Sequence, residues 1–139
     1  EGLRLRPAPS RSRGGYAVQA DIAAIHAGAA DAADTDWSAI VNLYDELLAL
    51  NPSPLVALNR SIAVGMSEGP LAGLAHLEGI ADDPKLVDHH LVAAARGDLL
   101  ARAGLPEEAV IALQRAADLA PTDQERRQLT QRADELRRP

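Results

Sequence analysis

The sequence predicts an all-α domain of stacked helical hairpins. Three observations carry this. Ala dominates, Phe is absent and aromatics make up 2% of the chain, so small side chains must do much of the packing. Val and Ile never gather into the alternating runs that strands need. Prolines fall where apolar stripes of helical period begin or end. The 139 residues suffice for one domain, which at this length buries about two-thirds of its unfolded surface.

Residues 3–15 read as a flexible linker, because LRLRPAPSRSRGG is too rich in Pro, Ser, Arg and Gly to pack; with the two residues before them they form the segment 1–15 that precedes the domain. The helical domain is expected over 16–138. Its first helix spans about 16–28, with Val18, Ile22 and Ile25 inward. The second begins at the chain's single Trp. Trp37, Ile40, Val41, Tyr44, Leu47 and Leu48 form one stripe. Thr35 or Asp36 caps it, and Pro52 and Pro54 forbid continuation. The two aromatics, seven residues apart, share the buried side and plug a core of small residues.

Ser53-Pro54 is an N-cap followed by proline at the first helical position. It opens a helix with Leu55, Leu58, Ile62 and Met66 inward, closing near Gly69. Pro70 starts a short helix carrying Leu71, Leu74 and Leu77, and Asp82-Asp83-Pro84 is a turn. The next helix runs over about 88–103 with Leu91, Ala95 and Leu99 inward, and Gly104 ends it. Pro106 opens a helix with Ala109, Leu113, Ala116, Ala117 and Ala120 inward. Thr122 and Glu125 have capping-box spacing and open a last, very polar helix whose apolar residues are Leu129, Ala133 and Leu136.

Pro52, Pro84 and Pro121 are 32 and 37 residues apart, bracketing the roughly 34-residue period of tetratricopeptide helix pairs. Residues 91–121 give the best copy, with Gly97, Leu100, Gly104, Ala109, Leu113, Ala116 and Pro121 at the signature spacings. Residues 37–52 match the second helix of an earlier copy through Ile40, Tyr44, Leu47 and Pro52. The middle copy carries an indel. The expected fold is therefore a tetratricopeptide-like right-handed superhelix of about three hairpins, closed by a polar capping helix.

The chain further resembles the C-terminal extension of one group of extracytoplasmic-function sigma factors, in which such a domain follows the promoter-binding core. The resemblance covers about 14–138. It rests on YAVQADIAAIHA, on DTDWSAIVNLYDELLALNPSPLVALNRSIAV, and on the GPLAGL, DHHLVAAARGDLLARAG and ERRQLTQR segments. The blocks DTDW, ALNRSIAV and RGDLLAR are its more specific parts. The chain has Gly14-Gly15-Tyr16 where the family often has Gly-Pro-Tyr. Residues 1–3 look like the end of the family helix that precedes this region. The regions that bind core polymerase and promoter elements are not represented. The resemblance implies a regulatory, protein-binding domain that sets when RNA polymerase initiates. Its partners would be the sigma core, polymerase or a further regulator. The alternative is a free-standing adaptor holding a peptide tail.

Composition narrows the classes further. The formal charge of −6 opposes nucleic-acid binding by this segment, which needs a basic surface. Arg4, Arg6, Arg11 and Arg13, and the arginines at 126, 127, 132, 137 and 138, read as a solvated tail and a solvated helix face. Cys is absent, so no disulfide or thiolate metal site is expected. No apolar run approaches the roughly 20 residues of a membrane helix. The first residue is Glu rather than Met, and the chain reads as a soluble cytoplasmic fragment.

No catalytic residue, cofactor or metal is expected. His26, His76, His89 and His90 read as ordinary helix residues, with the adjacent pair about 100° apart. Asp31, Asp34 and Asp36 read as caps, since a calcium loop needs a central Gly and a distal Glu. Asp45-Glu46 and Glu107-Glu108 diverge on their helices, and Glu107-Glu108 suit a first turn. The polar pair Asn59 and Arg60 interrupts a mainly apolar helix. It is a candidate lining of the concave groove, with Asp98 and Arg102 facing the same groove. The structural alternative has Asn59 bridging helices, Arg60 pairing with Asp45 or Glu46, and Asp98 with Arg102 as a surface ion pair.

Overall fold

The computed structural model describes residues 35–138, and these form six α-helices with no strand among them. The expected helix over 16–28 and the linker lie outside the described residues. Helix α1 is Trp37–Leu50, α2 Pro54–Glu68, α3 Pro70–Ile80, α4 His90–Arg102, α5 Pro106–Leu119 and α6 Asp123–Arg137.

Local chemistry sets each boundary. Asp36 accepts from the Ala39 N–H at 3.1 Å and Ser53 from Val56 at 3.5 Å, satisfying donors that a first turn leaves open. Pro54, Pro70 and Pro106 occupy first-turn positions where no amide is needed. Gly104, at φ +81°, ends α4 in a Schellman motif: Leu105 N–H bonds to Leu100 O and Gly104 N–H to Ala101 O. Thr122 Oγ1 accepts from Glu125 N–H at 3.1 Å and so caps α6, while its hydroxyl donates to Glu125 Oε1 at 2.8 Å.

Contacts fix the helix directions. Ser38 meets Ser67 at 3.0 Å and Asp45 meets Arg60 at 2.5 Å, both centred on the 51–53 link, so α1 and α2 are antiparallel. His90 reaches Glu125, and Asp98 reaches Arg132, at separations of 35 and 34 residues; α4 and α6 therefore run parallel. Gly65 on α2 packs against Leu99 on α4, again 34 residues on.

The core is a succession of three clusters rather than one centre. Ile40, Val41, Leu47, Ala63 and Val64 join α1 to α2, with Trp37, Leu43 and Tyr44 half-buried against them. Leu58, Leu77, Leu86, Val92, Ala95 and Leu99 join α2, α3 and α4. Ala93, Val110, Leu113, Ala116, Ala117, Ala120, Leu129 and Ala133 join α4, α5 and α6. Gly73 makes the closest crossing. A Cβ there would lie 2.7 Å from Gly65 Cα, so α2 and α3 touch backbone to backbone.

Three leucines expected inward are not. Leu55, Leu71 and Leu91 are 43%, 68% and 40% exposed. Each is the second residue of its helix. A helical side chain leans toward the N-terminus, so in the first turn it reaches past the packed body of the helix. Helix α2 also buries more than the expected stripe: Ser61, Ala63, Val64 and Gly65 are inside, because neighbours flank it on two sides.

Candidate docking surface

Of the four predicted groove residues, Arg60 and Asp98 engage neighbouring helices, and Asn59 and Arg102 are exposed. Arg60 Nε donates to Asp45 Oδ1 and its Nη1 lies 3.1 Å from His76 Nδ1, so this side chain stitches α1, α2 and α3 together. Asn59 is exposed, and its side chain bridges no two helices among the described residues. Asp98 pairs with Arg132 on α6 through an Oδ1 shielded from water, and not with Arg102 four residues on. The tertiary partner wins because Asp98 is turned toward α6. Arg102 is exposed. Of the signature residues, Gly97, Ala109 and Ala116 are buried where hairpin helices meet. Trp37 and Tyr44 are half-buried, and burial pushes the Tyr44 phenol upward in pKa.

Among the described residues, two clefts flank the 81–89 link. The first, about 400 Å³, lies between the end of α3, the start of α4 and the end of α5. Leu86, Val92 and Ala93 form its apolar floor. Its rim carries two ion pairs. Arg96 donates twice to Glu78, at 2.7 and 2.9 Å. That bond holds the Glu78 carboxyl below the usual carboxylate range and the Arg96 guanidinium above its own. Arg115 pairs with Asp88, whose φ of +61° places it in the left-handed region that Asp tolerates better than most residues. Val87 projects beside it, 52% exposed.

The second cleft, about 380 Å³, is lined by residues 51–55 together with Lys85 and His89. Leu55 borders it. Leu91 holds the corresponding position on α4, so an exposed leucine stands at the start of each of these two helices. His89 lines both clefts.

The histidine pair differs from expectation. The rings of His89 and His90 stack, with centroids 4.9 Å apart and planes 16° from parallel. The 100° separation assumed two helical residues, whereas His89 is the extended N-cap of α4. Its Nδ1 accepts from Leu91 N–H at 3.1 Å.

The sequence offered no signal for the Glu78–Arg96 and Asp88–Arg115 pairs. Their members lie 18 and 27 residues apart, spacings that only the tertiary fold brings together. Among the described residues, no group of three or more His, Cys, Asp or Glu side chains converges as a metal site. No described helix is long and apolar enough to cross a membrane. What the residues build is an all-helical body with shallow, amphipathic clefts rimmed by paired charges.

No family model matches the chain. An uncharacterized protein of Rhizobium meliloti (strain 1021) is 40% identical over 126 residues, covering 91% of this chain. The chain spans 29% of that relative's length.

Proposed function

We propose that the chain is a regulatory, protein-binding domain with a tetratricopeptide-like superhelical arrangement, serving as the C-terminal extension of an extracytoplasmic-function sigma factor. The observation that carries the repeat reading is the stride of the helix starts. N-caps of α2, α4 and α6 fall at 53, 89 and 122, and those of α1, α3 and α5 at 36, 69 and 105. Each set advances by 33 or 36 residues, bracketing the period of this repeat class. The 34-residue contacts Gly65–Leu99 and Asp98–Arg132 join first helices of successive hairpins in the same register.

The sigma-factor reading draws on the DTDW, ALNRSIAV and RGDLLAR blocks. The latter two lie in α2 and α4, the first helices of two hairpins. Helical arrays of this kind bind partners along their surface. In the full protein, the domain contacts the sigma core, polymerase or a regulator. Those contacts favour one arrangement of the sigma regions over another. The purified domain is tested by pull-down against RNA polymerase core and, separately, against the sigma core of its parent protein. Retention of either supports the proposal; retention of neither, with the domain folded by circular dichroism, rejects it.

A further inference from the structure

We propose that His89, His90 and Glu125 form an acid-sensitive latch on the first turn of α4. The geometry is a relay. Glu125 Oε1 is held by the Thr122 hydroxyl at 2.8 Å while its Oε2 faces His90 Nε2 at 3.3 Å. The His90 ring stacks on His89, whose Nδ1 caps the Leu91 amide. The start of α4 is thus tied to the start of α6 through one imidazole and capped by the other.

The two rings answer a falling pH in opposite ways. His90 Nε2 lies 3.3 Å from a carboxylate oxygen, so a proton on the ring makes an ion pair there and tightens α4 against α6. His89 caps only while Nδ1 is unprotonated, because a protonated imidazole has no acceptor. A second cation there also opposes the positive end of the α4 dipole. It would lie 4.9 Å from the first.

The remaining groups around His89 do not reverse this. On its own link, Asp82 and Asp88 line the first cleft and Lys85 the second. From α3 and α4, Glu78 and Arg96 neutralise one another, and Arg115 of α5 is taken by Asp88. The residues of the α1–α2 link that line the second cleft with it are uncharged. The second proton therefore removes the cap and frees the first turn of α4. That turn carries the exposed Leu91 and the cleft-floor residue Val92. Acidification would so alter both clefts at once, through a residue that lines each of them.

The test is amide hydrogen exchange by NMR on the full chain, read as protection factors for Leu91. Between about pH 8 and about pH 5, Leu91 protection should fall by about five-fold, the size of one lost cap. Ala95, deeper in the same helix, should hold. His89→Asn, which caps without titrating, should keep Leu91 protected at both pH values. His90→Gln, which removes the first proton and its repulsion, should move the loss to higher pH. Unchanged wild-type protection at Leu91, or His89→Asn losing protection in parallel with wild type, would overturn the latch.

Discussion

Substituting alanine for glycine at two positions eleven-residue helix α3 contains tests the packing directly. At Gly73 a Cβ would lie 2.7 Å from Gly65 Cα, 2.8 Å from Ser61 O and 2.9 Å from Gly65 N. Ordinary carbon contacts are about 3.5–4.0 Å, and all three neighbours are backbone atoms of α2, so the whole crossing must widen by about 0.8 Å. Overpacking of this kind costs about 1–3 kcal/mol, and the upper part applies because no side chain can rotate away. Alanine's better helix propensity returns about 1 kcal/mol. The net loss for Gly73→Ala is therefore about 1–2 kcal/mol. At Gly79 nothing lies within 4 Å of the added carbon, so the same change should stabilise by about 0.5–1 kcal/mol. Urea denaturation followed by circular dichroism measures both, with midpoints moving in opposite directions and slopes unchanged. If Gly73→Ala matched or exceeded the stability of Gly79→Ala, the close α2–α3 crossing would be refuted.

Other consequences are equally direct. Leu113 is fully buried among small residues, so Leu113→Ala should cost about 3 kcal/mol in the same denaturation assay. Thr122→Ala removes the cap of α6 and should cost about 1 kcal/mol, with exchange of the Glu125 amide rising. The Glu78 carboxyl is held below its usual 4.5 by Arg96. Its contribution is therefore complete above that value and lost as pH falls through the lower folded one. Melting temperature should drop more steeply with acid in wild type than in Glu78→Gln, by a small, salt-sensitive margin, since the pair is exposed.

Much of the fold was legible because helix signals are local. Ala109, Leu113, Ala116, Ala117 and Ala120 all lie inside as their spacing predicts, and Gly104 and Thr122 stop and start helices by cap chemistry alone. Helix α2 was legible only in part. A single stripe describes a helix with one neighbour, but α2 has neighbours on two sides, and its second contact is marked by Ser61, Ala63 and Gly65. Such residues carry no hydrophobic signal; their smallness is the signal. First-turn leucines misled because periodicity ignores the lean of side chains toward the helix start. The surface was least legible. Arg60's pairing with Asp45 follows from the structural alternative the sequence offered. Asp98's choice of Arg132 over Arg102, and the pairs lining the first cleft, depend on which helices become neighbours.

The proposed role is docking of this helical domain within a sigma factor. Run-off transcription from a target promoter decides it most directly, using RNA polymerase core with the full-length parent protein and with a version lacking residues 35–138. A changed transcript yield at equal protein concentration is the predicted result. Equal yield from the two proteins would contradict a regulatory role for the domain.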